Sequence, residues 1–193
     1  MAERKHILLA AINAKYIHSN LAVYSLKAYA KKYQNQIGLA EYTINQNLDD
    51  ILKGIYRDHP EVLCISCYIW NISYVKNLIR EVHNVDGIER IRLGSLEPRI
   101  VTDGFAAALA GLPKICPHFH LSLQSGCDAT LQRMNRRYDT REYEEGCQIL
   151  RKYFDHPAIT TDVIVGFPKE SEEEFQKSYD FVDSIRFYET HIF

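Results

Sequence analysis

At 193 residues, with 46% apolar and 25% charged side chains, the chain can bury a core in one domain or two small ones and is no disordered polymer. Its formal charge is −2, and residues 1–85 carry 10 basic against 7 acidic side chains while residues 86–193 carry 13 against 18. Neither balance is that of a broad nucleic-acid-binding face. No stretch of the sequence approaches the ~18–20 apolar residues of a membrane span. The opening run Ile7-Leu8-Leu9-Ala10-Ala11 is short for a signal-peptide core and has no convincing cleavage site, so a cytoplasmic protein is expected. The five cysteines are odd in number and thinly spread, which favours reduced thiols over a disulfide framework.

Residues 6–12 read as a first strand, followed by a polar loop over residues 13–20. Ser19 or Asn20 is placed to cap a helix running to about Tyr33, with Ala22, Leu26, Tyr29 and Tyr33 as its buried stripe. A second strand over residues 36–43 leads to a helix from Asn47, with Ile51, Leu52, Ile55 and Tyr56 as its apolar face and His59-Pro60 as its end. Residues 62–66 form a continuous apolar strand of the kind a buried parallel sheet uses. The next helix, from about Ser73, packs through Val75, Leu78, Ile79 and Val82.

Past Val85-Asp86-Gly87 three further βα units and a last strand are expected. Residues 90–98 and 160–168 read as strands whose far ends break into polar, Gly or Pro residues. Between them, Phe119, Leu121 and Leu123 alternate with His118, His120 and Ser122, the period of a strand. Thr102 or Asp103 opens one helix. Asp139 with Glu142 and Ser171 with Glu174 have the spacing of reciprocal caps for two more, the first packing through Tyr143, Cys147, Leu150 and Phe154, the second through Phe175, Tyr179, Val182 and Ile185. Residues 187–193 form a last strand with no helix after it, which reads as an interrupted chain. The fold class is α/β, with a parallel sheet that both parts are expected to share, because each alone leaves exposed edges.

In such folds the carboxyl ends of the strands hold ligands. Glu97 and Ser95 stand at one such end, where a carboxylate accepts from a ligand amine or hydroxyl or is simply solvated. His120 shares a polar strand face that implies either a ligand cavity or a hydrogen-bonded core. Gln124 both donates and accepts, and Ser125-Gly126 makes a turn that lets backbone N–H groups approach a ligand. Arg133, Arg136 and Arg137 form a basic cluster that either contacts a carboxylate or ends a helix. Gly166 permits close backbone approach, with Phe167 beside it as an apolar wall. Cys64, Cys67, Cys116, His118 and His120 are soft ligands, but a strand sends Cys64 and Cys67 to opposite faces and Pro117 interrupts the second group, so no metal site is assigned.

Two resemblances attach to these stretches. Residues 1–85, through Asn13-Ala14-Lys15-Tyr16-Ile17-His18-Ser19-Asn20-Leu21-Ala22 and Cys64-Ile65-Ser66-Cys67-Tyr68-Ile69-Trp70-Asn71, resemble the cobalamin-binding-type N-terminal domain of certain radical SAM proteins, here a partial Rossmann-type domain. The Asp-x-His-x-x-Gly motif that ligates cobalamin in that family is absent, and Asp58-His59 does not have its spacing. Residues 86–193 resemble the radical SAM methylthiotransferases. The likeness lies in Arg90–Pro98, in His118–Asp128 with Leu131–Tyr138, and in Asp162–Pro168 through Glu174-Phe175.

That second resemblance implies the C-terminal part of a radical SAM (β/α) barrel, four of six strands, and methylthio transfer to a tRNA adenosine with S-adenosylmethionine (SAM) and a [4Fe–4S] cluster as cofactors. By likeness, SAM lies near Ser95, Glu97, His120, Gln124, Ser125, Arg137, Gly166 and Phe167. The chain departs from the family in having no Cys-x-x-x-Cys-x-x-Cys to hold the cluster, and Lys169 stands where the family usually has glycine. The expectation is a SAM-binding chain, inactive on its own, with tRNA as a partner by family likeness, no membrane, and self-association through exposed sheet edges. The alternatives are a non-catalytic module binding a corrinoid or a protein, or a fragment without function.

Overall fold

A computed structural model describes residues 6–14, 20–66 and 71–193, with the side chain of Ser95 also outside the description. Seven strands, β1 (Ile7–Asn13), β2 (Ile37–Thr43), β3 (Val62–Ser66), β4 (Arg90–Leu96), β5 (Ile115–Leu121), β6 (Ala158–Val163) and β7 (Glu189–Ile192), lie in the sheet order β2-β1-β3-β4-β5-β6-β7, flanked by helices, the α/β parallel architecture expected. The chain divides into two compact units, Met1–Gly94 with Leu112–Cys116, and Ser95–Gly111 with Pro117–Phe193.

In the first unit β1 (Ile7–Asn13) pairs in parallel with β2 (Ile37–Thr43) on one side and β3 (Val62–Ser66) on the other. The beginning of β4 (Arg90–Leu96) pairs with β3, setting Cys64 beside Arg92 and Ile65 beside Leu93. Helix α2 (Leu48–Asp58) starts at Asn47, whose side chain accepts from Asp49 N–H, and carries Asp49 and Asp50 in its first turn, where carboxylates favour the helix dipole. Ile51 and Ile55 are buried on it, whereas Tyr56 is exposed. Helix α3 (Ile72–His83) buries Val75, Leu78, Ile79 and Val82, the four residues its sequence period selects. At about 1.5–3 kcal/mol for each fully buried large aliphatic side chain, that stripe is what holds α3 to the sheet.

Helix α1 (Leu21–Tyr29) departs from expectation. It stops at Ala30, Lys31 turns the chain at φ +47°, and Lys31–Gln36 continue as a 3-10 turn, so Tyr33 is off the α-helical period. Val23 is its one buried residue, packed with Leu9 and Ala11, while Leu26, Tyr29 and Tyr33 are exposed. The physical reason is phase. Once the β-branched Val23 fills the small site over Leu9 and Ala11, the stripe one residue behind it rotates about 100° away from the sheet. Asn20 occupies the cap position without a side-chain cap bond, and its N–H donates instead to Glu41 at 2.6 Å. The alternative cap, Ser19, lies outside the described residues.

The second unit is more tightly specified. Helix α4 (Asp103–Ala110) is capped by Thr102, and α6 (Thr140–Tyr153) and α7 (Glu172–Ile185) both start in complete reciprocal capping boxes, Asp139 with Glu142 and Ser171 with Glu174. Strand β5 (Ile115–Leu121) begins earlier than its alternation marks, and β6 (Ala158–Val163) and β7 (Glu189–Ile192) follow it in parallel register. Phe119, Leu121 and Leu123 are fully buried and His118, His120 and Ser122 half-buried, in the alternation read from the sequence. A short helix, α5 (Asp128–Arg133), follows β5 where no sequence period marks one. On α7 the buried residues are Ser178 and Ile185, and Tyr179 is exposed, because Ser178 turns inward to accept a backbone N–H from Gly126 at 2.8 Å.

Candidate functional site

The carboxyl ends of β4, β5 and β6 in the second unit carry the candidate residues in three groups. The first is built on β5 and β6. Their register sets His120 beside Thr160, and the imidazole takes Thr160 Oγ1 at 3.0 Å and Asp162 Oδ2 at 3.1 Å. Both ring nitrogens are therefore committed. His120 is an orienting group for Asp162 in this arrangement, and the polar strand face is a hydrogen-bonded one. The ring of His191 on β7 lies 6.3 Å away, extending the polar row.

Past the end of β5, Gln124 adopts φ +72° and bridges to β6, donating to Asp162 O at 2.8 Å and accepting from Ile164 N–H at 2.9 Å. The strand pairing is thus carried beyond Leu121 by the Gln124 backbone and by Thr161 Oγ1, which accepts Leu123 N–H at 3.0 Å, and the half-buried Gln124 side chain is left at the strand ends. Ser125 is fully buried, and its Oγ accepts Cys127 N–H at 3.2 Å, so its side chain shapes the turn. Gly126 is required there by close approach, since a β-carbon would stand 2.7 Å from Ser178 O and 2.8 Å from Phe181 Cβ.

Two tyrosines lock this turn from below. Tyr138 donates to the carbonyls of Ser122 and Leu123, and Tyr143, fully buried, donates to Leu121 O at 2.9 Å beside Thr161. Burial pushes the Tyr138 hydroxyl up to about 12 and that of Tyr143 further still, so both are permanent donors at neutral pH.

The second group surrounds Glu97, which precedes the 3-10 turn Pro98–Ile100 after β4 without a side-chain cap bond. Its Oε2 is buried with no hydrogen-bond partner among the described residues. Burial raises its pKa above the usual carboxylate range, partly offset by Arg99 and its N–H and by Arg136, while Glu142 adds to the rise. A carboxylate oxygen buried without a donor is costly unless a ligand supplies one.

The third group follows β6. Gly166 is at φ +72° with open space where a β-carbon would be, and its N–H donates to Glu170 at 2.6 Å. Val165, Gly166, Glu170, Ser171, Glu172 and Phe175 line a hollow of about 300 Å³. Phe167 stands next to it, half-buried, while Val165 is exposed, so the strand end is less enclosed than its apolar sequence implies.

The three arginines separate. Arg133 makes a two-pronged pair with Glu174, at 2.6 and 2.9 Å, which holds the Glu174 carboxyl down at about 2. Arg136 and Arg137 are exposed, with Arg136 near enough to Glu97 to lower its pKa. Ser95 has its side chain outside the description. The partners of His120 were legible in one respect only: Thr160-Thr161-Asp162 is a polar run inside an otherwise buried strand, and such a run needs bonding partners.

A parallel α/β sheet whose strand ends carry a tied polar turn and a half-buried carboxylate with one unpartnered oxygen has the form of a partial β/α barrel. Residues 43–182 match the model of the radical SAM superfamily, and the chain belongs to that family. Among curated relatives it is 42% identical over 130 residues to the threonylcarbamoyladenosine tRNA methylthiotransferase of Aquifex aeolicus, covering 67% of this chain and 32% of that protein. To the tRNA-2-methylthio-N(6)-dimethylallyladenosine synthase of Desulfosudis oleivorans it is 41% identical over 111 residues, 58% of this chain and 24% of the other. The synthase of the same name from Alkaliphilus oremlandii aligns with all of this chain at 31% identity, over 41% of its own length. The chain thus spans well under half of these relatives. Coproporphyrinogen III oxidase of Escherichia coli, a radical SAM enzyme, shares the fold with a TM-score of 0.59 at 14% identity, over 98% of this chain and 44% of that one.

The superfamily implies SAM and an iron–sulfur cluster. The cluster does not fit the residues present. No three cysteines have the Cys-x-x-x-Cys-x-x-Cys spacing, and among the described residues no group of three metal-binding side chains converges. Burial raises the thiol of Cys64, and that of Cys147 to about 12, the reverse of what a thiolate ligand needs, while Cys67 lies outside the description. At the strand ends, Glu97 Oε2 is an unfilled acceptor and Gly166 has open space where a side chain would stand.

Proposed function

We propose that this chain is a SAM-binding member of the methylthiotransferase branch that does not start radical chemistry by itself. The buried, unpartnered Oε2 of Glu97 carries the reading: it is an acceptor already dehydrated at a strand end, waiting for a donor. Gln124, Arg137, Gly166 and Phe167 complete the proposed ligand edge, and His120 acts through Asp162. Ser125 shapes the turn, and Ser95 is included by family likeness. By likeness to the relatives, the ancestral reaction is methylthio transfer to a tRNA adenosine, with tRNA as the partner of that reaction. Without cluster ligands no reaction step is assigned here.

A second reading is favoured by one observation in the first unit. The order β2-β1-β3-β4 reverses direction between β1 and β3, the kind of point where open parallel sheets bind ligands. There Asn71 Nδ2 bridges Ile12 O and Ser66 O, and Ser66 Oγ is buried with no hydrogen-bond partner among the described residues. This unit is then a corrinoid- or protein-binding module, with residues 1–85 as a partial cobalamin-type domain and residues 86–193 as the barrel part. The edge strands β2 and β7, the latter ending in an exposed Ile192 that the exposed Phe193 follows, offer routes to self-association.

Calorimetric titration decides between the readings. Saturable heat with SAM that Glu97→Gln weakens by about tenfold, one lost hydrogen bond to a charged group, supports the first. Heat with hydroxocobalamin alone supports the second. Absence of heat with SAM overturns the SAM reading.

A further inference from the structure

At the opposite, N-terminal edge of the strands of the second unit, a cleft of about 820 Å³ opens between the carbonyl ends of α6 and α7 and the starts of β6 and β7. Its volume lies within the range of small-molecule sites, roughly 300–1,000 Å³. Three of its lining residues are cationic (Arg151, Lys152 and Arg186), His156 adds an imidazole, and one, Asp155, is a carboxylate.

Helix ends of this polarity repel anions, so the distribution of these cations matters. Arg151 donates to the carbonyls of Ile185 and Arg186 and so covers the end of α7, while Lys152 is held by Asp103 at 2.7 Å. The guanidinium of Arg186 makes no ion pair among the described residues, and His156 meets its neighbour Asp155 at only 3.5 Å with both side chains almost fully exposed. Those two side chains are the ones left for a ligand.

Both also sit where the backbone argues for a different residue. Arg186 caps α7 at φ +54° and His156 precedes β6 at φ +44°, left-handed conformations in which glycine is the unstrained choice. Both residues line the cleft, and each carries a basic side chain that the turn itself does not require. Tyr188, 76% exposed, adds a ring face to the same lining.

We propose that this cleft binds a small phosphorylated ligand with a flat ring, the phosphate on Arg186 and His156 and the ring on Tyr188. The site is separate from the SAM edge and does not rest on it. Adenosine monophosphate is the probe, with inorganic phosphate and adenosine as the two half-ligands, titrated into the full chain. The expected result is saturable binding of the monophosphate, weaker binding of phosphate, and loss of about tenfold or more in Arg186→Gly and in His156→Gly. Because glycine suits both backbones, the two variants are expected to keep or raise the midpoint of thermal unfolding, which separates lost binding from lost folding. Glu97→Gln, at the other edge, is expected to leave monophosphate binding unchanged. Undetectable binding, binding indifferent to both glycine variants, or binding abolished by Glu97→Gln would each overturn the proposal.

Discussion

Helix α1 in the first unit and the turn after β5 in the second carry equally clear sequence patterns, yet the structure treats them differently. The turn after β5 is tied at nearly every residue: Gln124 to β6, Ser125 to Cys127, Gly126 to Ser178, and the carbonyls before it to Tyr138 and Tyr143. Helix α1 has nine residues, no side-chain cap bond and one buried residue, and its most apolar stripe faces solvent. A pattern determines orientation when several independent contacts demand the same phase. With one contact, the shape of that contact decides.

Substitutions can break this contrast, and Gly126→Ala is expected to have the largest effect. The added carbon meets Ser178 backbone and Phe181 at under 3 Å, and the overpacking should cost about 3 kcal/mol in urea unfolding. A loss below about 0.5 kcal/mol would show that α7 yields and that the turn is not held as described.

Next come two substitutions on α1. Val23→Ala should cost about 2 kcal/mol, by analogy with other buried aliphatic truncations, and Leu26→Ala less than about 0.5 kcal/mol, as for exposed sites. The reverse order would restore the stripe that the sequence period selects.

Smaller effects come from the carboxylates of the second unit. The Glu97 pKa is raised in the fold, so its charged form costs stability once the pH rises through its unfolded value of 4.5, and no cost remains well below it. Glu97→Gln should therefore be slightly more stable than wild type at pH 7 and equal to it in acid, a gain that partial exposure keeps small, measured by unfolding across pH. Glu174 has the opposite sign. Its pKa is lowered to about 2 by Arg133, so the pair stabilises above 4.5 and the benefit disappears as the pH falls toward 2. The smallest change expected is that Glu174→Gln follows wild type in strong acid and falls slightly below it near neutrality.

Much of the fold was legible because its signals were redundant. The apolar stripe of α3 and the alternation of Phe119, Leu121 and Leu123 repeat over several residues, and the two capping boxes add a boundary residue to a helical period. Short elements were not legible. Helix α5 has six residues and no period, and the rotation of α1 depends on how Val23 meets Leu9 and Ala11, a contact between residues distant in sequence. At the site, polar residue types marked the strand ends, but their partners follow from strand register. Only the pairing of β5 with β6 shows that His120 is spent on Thr160 and Asp162, and only folding leaves Glu97 Oε2 buried without a donor.

The central claim is a radical SAM fold that keeps a ligand edge without the cysteines that hold the cluster. Anaerobic reconstitution of the full chain with iron and sulfide, followed by absorbance after desalting, tests it most directly. The account predicts no retained iron and no broad thiolate-to-iron band near roughly 400 nm. A stable band with stoichiometric iron would contradict it.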